Sequence, residues 1–323
     1  MLICGFDGTD LPTEFAQLLE RQHLGGIILF ARNFVDLEQL KSLTSRIHGI
    51  SPSPIFIAVD QEGGRVVRFS GDFPVFPSPA HYGSSDDYDG LRIATRTTAE
   101  ALKSAGVNLN LLPVCDLAPS DQSHVIYSRS YSSSSERLVA AVKSQIAEQR
   151  QAGIYSCAKH FPGLQSAHGD PHLMVSRSNQ SLQDFRNSDY LPFKAAIDAH
   201  AEMVMVTHLF APSIDPDNIV TFSARAIEQE LRGYLKFNGL IITDDLLMAG
   251  SLEGISAAEA GIRAIRAGCN LLVYGDVTDQ VDSILGEIVR TSEVDHGVRE
   301  QIQRSSVRLS SFKSDTKSLS SHA

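Results

Sequence analysis

Four apolar runs in this 323-residue chain end on groups that can transfer protons or hold a polar ligand. One finishes Val59-Asp60-Gln61-Glu62-Gly63-Gly64-Arg65, another Ala158-Lys159-His160-Phe161-Pro162-Gly163. The others finish Val206-Thr207-His208 and Thr243-Asp244-Asp245. A carboxylate or ammonium at the end of a buried strand is costly unless it is paired. Any one of these residues alone could be a structural ion pair, but stability gives no reason for four such ends to share one rim. Together they supply carboxylates for nucleophilic or basic work, cationic donors, and imidazoles that titrate near neutrality. A further Asp170-Pro171-His172 could orient an imidazole for proton transfer, although Asp-x-His is frequent by chance. A zinc site would need three or four of His160, His168, His172, His208 and Asp244 within bonding reach. Lys159 beside His160 opposes a dication, so no metal and no cofactor is expected.

The elements that must position these groups are short apolar runs separated by helix-like stretches. Candidate strands cover residues 2–6, 26–30, 55–60, 108–115, 155–160, 202–208, 240–245 and 270–275. They are rich in Val, Ile, Leu and Cys without polar alternation, as parallel strands covered on both faces should be. Helical patterns lie between them, at residues 36–47, 89–105, 134–152, 189–199, 224–234 and 257–267, and several end in Gly. Eight such strands predict an α/β fold, a single (β/α)₈ TIM barrel spanning residues 1–304. An open dinucleotide-binding sheet would carry a Gly-rich phosphate loop after its first strand, and Phe6-Asp7-Gly8-Thr9-Asp10 offers none. Residues 68–88 read as a long loop, and the Ser-rich residues 305–323 as a disordered tail.

Bulk composition agrees with a globular protein. Hydrophobic residues make up 42% and charged residues 20%, enough for a large core. The formal net charge of -10 argues against nucleic acid or an anionic membrane as partner. The first residues lack a charged leader, no run reaches the roughly 20 apolar residues of a membrane span, and Cys4, Cys115, Cys157 and Cys269 are widely spaced. Reduced core thiols and a cytoplasmic location follow as expectations.

The segment Val59-Asp60-Gln61-Glu62-Gly63-Gly64-Arg65-Val66-Val67-Arg68-Phe69 and Lys159-His160-Phe161-Pro162-Gly163 resemble signature segments of glycoside hydrolase family 3. Its bacterial single-domain β-N-acetylglucosaminidases of the NagZ type are the nearest pattern. Gly26-Ile27-Ile28-Leu29-Phe30-Ala31-Arg32-Asn33, Ser128-Arg129-Ser130-Tyr131, Ile242-Thr243-Asp244-Asp245-Leu246 and Ala267-Gly268-Cys269-Asn270 fit in the same order, from about residue 2 to residue 290. The resemblance implies Asp244 as catalytic nucleophile, His172 as general acid/base and Asp170 as the carboxylate that assists it. It further implies that Asp60, Arg68, Arg129, Lys159 and His160 grip the N-acetylglucosamine hydroxyls, with His208 nearby. Asp245 is then a supporting or capping carboxylate.

The implied activity is retaining removal of terminal β-linked N-acetylglucosamine from a small peptidoglycan-derived fragment, by a monomer acting through a covalent glycosyl-enzyme. This chain departs from the family pattern where Leu164-Gln165 replaces the usual His-Gly, and where Pro171 replaces a Ser before the acid/base His. Asp170 and His172 nevertheless keep their spacing from Lys159. Two alternatives stay open: phosphorolysis of the same bond, to which a histidine acid/base is suited, and a catalytically silent sugar-binding relative.

Overall fold

Parallel strands buried on both faces can escape having edges only by closing on themselves, and these eight do. The computed structural model describes residues 1–21, 23–169, 175–248 and 254–320, with side chains to residue 312. The barrel strands are, in chain order, Leu2–Cys4, Leu24–Leu29, Phe56–Val59, Leu109–Asn110, Tyr155–Phe161, Met203–Val206, Leu240–Asp245 and Leu271–Tyr274. Each pairs in parallel with its neighbours, and the first closes on the eighth. All eight expected strands are present, and the fold is a single (β/α)₈ barrel.

Side chains alternate across each strand with a period of two, so each strand sends every second residue into the barrel. Ile3, Ile28, Phe56, Ala58, Leu109, Cys157, Met203, Met205, Leu240, Ile242, Leu271 and Val273 form this inner cluster. The intervening residues join the larger layer between strands and helices. Continuing the inward series upward gives Asp60 on the third strand, Lys159 on the fifth, Thr207 after the sixth and Asp244 on the seventh. The apolar layers therefore end in a polar ring at the C-terminal mouth.

Helices Leu37–Ile50, Tyr88–Ser104, Ser135–Gln151, Tyr190–Asp198 and Ala257–Ala267 lie where helical periodicity placed them. Local chemistry sets several of their starts: Asp36, Asp87, Ser134 and Ser256 each accept a first-turn amide. Segment Arg225–Tyr234 is wound as a π-helix. Residues 68–88 are not wholly a loop, because Pro79–Ser85 is helical.

The boundary expected at residue 304 is not observed. Helix His296–Ser320 runs through it and covers the N-terminal mouth of the barrel. Ser305 is buried and accepts from Asn270 Nδ2 at 3.0 Å. Leu309 joins the inner cluster, and the Phe312 ring lies 5.8 Å from Phe56 and 5.1 Å from Tyr155. Val298, Ile302, Ser305, Leu309 and Phe312 recur at intervals of four and three, a continuous helical stripe that the serines around it conceal. All four cysteines are buried and free. Among the described residues no helix is long and apolar enough to cross a membrane.

Candidate active site

A cavity of about 550 Å³ opens at the C-terminal mouth, a volume suited to a small ligand. Its walls include Asp60, Arg68, Arg129, Lys159, His160 and Asp244, and its floor includes Ile28, Leu111, Met205 and Val273. The polar ring thus stands directly on the apolar layers of the barrel.

Lys159 is almost fully buried and sits between two carboxylates, its Nζ 2.6 Å from Asp60 Oδ1 and 2.6 Å from Glu62 Oε1. Arg129 binds Glu62 in the planar two-pronged geometry, Nε to Oε2 at 2.9 Å and Nη2 to Oε1 at 2.8 Å. The same Nη2 donates to His160 Nε2 at 3.1 Å. A guanidinium can only donate, so Nε2 accepts and the ring proton is on Nδ1. That nitrogen faces Asp116 Oδ2 at 2.7 Å. Asp116 Oδ1 meanwhile accepts the amide of Leu164 at 2.9 Å. Arg68 Nη2 reaches Asp60 Oδ2 at 3.3 Å.

Local structure explains how these groups arrive together. Gly63 and Gly64 have φ of +98° and +59°, and a Cβ on either would come within 2.6 Å of Pro77 or Ser78 atoms. The double glycine lets the chain reverse after Glu62, whose amide bonds Val66 O at 3.0 Å. Gln61 then pins the returning strand: its Oε1 accepts from Arg68 N and its Nε2 donates to Phe69 O, holding Arg68 over Asp60. On the fifth strand the pairing register shifts between Ala158 and Phe161, so His160 as well as Lys159 lines the cavity.

The electrostatics follow from this pairing. Burial pulls the Asp60 and Glu62 carboxyls upward, but Lys159 with Arg68 or Arg129 overrides it and holds both below the ordinary range. Burial would lower Lys159, but Asp60 and Glu62 hold it raised and charged. Replacing such a buried network by apolar residues is often neutral or stabilising, so folding stability does not account for it. A preorganised set of donors for a hydroxyl-rich ligand does.

Asp244 and Asp245 are adjacent but differ in kind. Asp244 faces inward; Oδ2 accepts from Thr207 Oγ1 at 3.0 Å and Oδ1 from the Asp245 amide at 2.9 Å. Burial raises its pKa, yet the His160 and His208 imidazoles and these two donors bring it below the ordinary value. Asp245 instead accepts the amides of Leu247 and Gly275, at 3.0 and 2.9 Å, and burial leaves its carboxyl raised. Both line the cavity, but Asp244 is the one held ionised, whereas Asp245 is engaged by two backbone amides that close the strand end.

His208 is a correction to the expected set. It is fully buried and does not line the cavity. Its Nε2 donates to the Asp245 carbonyl at 2.9 Å, and Nδ1 meets Thr221 Oγ1 at 2.8 Å, so neither nitrogen is left for a sugar. The alternation of the sixth strand explains this: Thr207 points in, and His208 points toward the helices. Asp170 and His172 lie outside the described residues.

Glu62, Asp116 and Thr207 were not assigned roles from sequence. Each follows a barrel strand at the catalytic end, which is the signal that could have found them.

The comparisons agree with this geometry. The chain matches the Glycosyl hydrolase family 3 N terminal domain over residues 8–311. It is 34% identical over 290 residues to a beta-hexosaminidase of Alkalilimnicola ehrlichii, covering 88% of this chain and 83% of that one. A beta-hexosaminidase of Nitrosomonas eutropha is 31% identical, covering 95% and 91%. Native NagZ from Neisseria gonorrhoeae superposes with a TM-score of 0.80 at 31% identity, covering 89% of this chain and 83% of that one. A glycoside hydrolase family 3 beta-N-acetylglucosaminidase from Paenibacillus sp. gives a TM-score of 0.92 at 27% identity, covering 98% of this chain and 61% of that longer one. With the barrel, the inward ring and these relatives in place, the chain belongs to glycosyl hydrolase family 3.

Proposed function

We propose that this protein is a retaining exo-β-N-acetylglucosaminidase, with Asp244 as nucleophile and His172, assisted by Asp170, as general acid/base. The beta-hexosaminidase activity of its relatives supports the substrate class. The observation that carries the assignment of roles is the inward-facing Asp244 carboxylate, held ionised at a cavity wall shared with Asp60, Arg68, Arg129, Lys159 and His160.

In the first step the leaving oxygen takes a proton from His172 while Asp244 attacks the anomeric carbon, breaking the glycosidic bond and forming a glycosyl ester. In the second, His172 takes a proton from water, whose oxygen displaces Asp244. The charged donors around Asp60 and Lys159 orient the terminal sugar by its hydroxyls, so the anomeric carbon meets Asp244 without further reorganisation. A small fragment carrying terminal N-acetylglucosamine, such as N-acetylglucosaminyl-anhydro-N-acetylmuramic acid from peptidoglycan recycling, is the proposed substrate. A cytoplasmic monomer is the proposed form, and the four free buried thiols support that compartment.

The test is hydrolysis of an aryl β-N-acetylglucosaminide by wild type and Asp244→Ala, with the aryl β-glucoside as control and product configuration followed by NMR. Turnover of the acetamido sugar with retention, lost in the variant, supports the assignment. Folded wild type that turns over neither sugar overturns it, and product that requires inorganic phosphate converts it to phosphorolysis.

A further inference from the structure

Backbone pairing between the fourth and fifth strands continues beyond Asn110. Cys157 N donates to the Leu112 carbonyl at 2.9 Å, Lys159 N to the Pro113 carbonyl at 3.0 Å, and Cys115 N to the Lys159 carbonyl. Val114 and Lys159 form a parallel bridge. This ladder carries the next residue, Asp116, to the side of His160. Asp116 is fully buried, and three donors converge on its two oxygens. Oδ2 accepts the His160 amide at 3.2 Å and faces His160 Nδ1 at 2.7 Å; Oδ1 accepts the Leu164 amide at 2.9 Å.

The opposite edge of the imidazole meets Arg129, whose Nη2 donates to His160 Nε2 at 3.1 Å. The hydrogen bond made by one ring nitrogen decides the state of the other. An acceptor at Nδ1 keeps the proton there and leaves Nε2 bare for the guanidinium. With the proton on Nε2, donor would face donor and Arg129 would be pushed from its place. A buried Asp–His pair is also the arrangement of a general base, but here the guanidinium occupies the lone pair that such a base would use. What the pair does is hold Arg129. Glu62 and His160 take Nε and Nη2 of that residue, and among the described residues no partner is found for Nη1. Nη1 is the nitrogen left for a ligand in the cavity that Arg129 lines.

We propose that Asp116 is a positioning residue for sugar binding: it fixes the His160 proton on Nδ1, so that Nε2 holds the Arg129 guanidinium where it meets the terminal sugar. Asp116 itself touches no substrate and acts through His160. The proposal rests on the assignment of this cavity to a terminal N-acetylglucosamine. Its consequence is a coupling, because removing Asp116 matters chiefly while His160 is present.

The experiment has two arms. The first reads the His160 ring directly by ¹⁵N NMR of wild type, in which a bare imidazole nitrogen and a protonated one are well separated. The expected result is a protonated Nδ1 and a bare Nε2; a protonated Nε2 overturns the proposal without any variant. The second arm compares Asp116→Ala and the isosteric Asp116→Asn, each alone and combined with His160→Ala. The readouts are kcat/KM on an aryl β-N-acetylglucosaminide and affinity for N-acetylglucosamine, with thermal midpoints to confirm folding. An amide offers one acceptor where Asp116 offers two, so Asp116→Asn cannot satisfy both His160 and Leu164. Each Asp116 variant alone is expected to lose about 10–100-fold in both readouts, the range for a hydrogen bond to a charged group. In the His160→Ala background the same change is expected to cost only a few-fold, which is the Leu164 side alone. If the separate factors multiply in the double variants, Asp116 acts through Leu164 or general stability and the proposal is overturned. Full activity in Asp116→Asn overturns it as well. Wild type that neither cleaves the glycoside nor binds the sugar marks the failure of the functional reading itself, and the proposal falls with it.

Discussion

Thr207 donates its hydroxyl to Oδ2 of Asp244 across 3.0 Å, from the neighbouring strand of the barrel. The bond stabilises the ionised carboxylate more than the neutral acid, and it is one of the influences holding Asp244 below the ordinary value. Thr207→Val removes the donor and keeps the branched shape. Hydrogen bonds to charged groups contribute about 1.5–3 kcal/mol, so the Asp244 pKa rises and the acid limb of the kcat/KM profile moves to higher pH. A pH–rate profile of the two proteins checks this. An unmoved acid limb would show that the hydroxyl does not tune the nucleophile.

The two adjacent aspartates should separate cleanly by kinetics. Asp244→Ala removes the inward carboxylate and is expected to lower kcat by about 10³-fold or more, roughly 4 kcal/mol of barrier. Asp245→Asn keeps one oxygen to accept the Leu247 and Gly275 amides, so its effect is expected within about tenfold in kcat and mainly in thermal stability. Reversal of the two effects would transfer the nucleophile to Asp245.

The difference between these aspartates could be read from the sequence, because alternation along residues 240–244 places Leu240, Ile242 and Asp244 on the inner face. The same count applied to the sixth strand directs Thr207 inward and His208 outward, although similarity to a family pattern had grouped His208 with the ligand-facing residues. Glu62 was harder to place. It lies beyond the end of its strand, where alternation no longer holds, and its position depends on the reversal at Gly63 and Gly64. Asp116 lies beyond its own strand end too, and it gains meaning only when His160 arrives from the adjacent strand. Serine content disguises the last helix, whose stripe from Val298 to Phe312 carries the helical period beneath it.

Glu62 predicts a stability change with a definite pH dependence. Glu62 and Asp60 are held below the ordinary carboxylate range, so the unfolded chain takes up protons on acidification before the folded chain does. Their contribution to stability is therefore complete above about pH 5 and is lost as pH falls through the lowered folded values. Lys159, held raised, contributes with the opposite sign: fully below its unfolded value and less as pH rises through the folded one. Glu62→Gln leaves Lys159 and Arg129 short of a buried partner, with an expected loss of about 3–5 kcal/mol at neutral pH. Denaturant unfolding should show that difference shrinking as pH falls below about 4.5, where the unfolded wild-type chain takes up a proton that folded Glu62 still excludes. A constant difference would mean the loss is steric.

The C-terminal helix offers the last test, because it bears on what closes the barrel. Removing residues 305–323 would expose the inner ends of Phe56 and Tyr155, which Phe312 now covers, and would leave Asn270 Nδ2 without Ser305. Leu309→Ala removes a smaller part of the same cover, with an expected cost of about 2 kcal/mol, at the lower end of the range for buried leucine because the site is at the barrel rim. The truncated chain should lose more than this and show a lower melting temperature. The cavity carrying Asp244 opens at the opposite mouth, so kcat of the Leu309→Ala protein at low temperature should match wild type while its thermal midpoint falls. Equal midpoints for wild type and the truncated chain would show that residues 305–312 are not part of the folded unit.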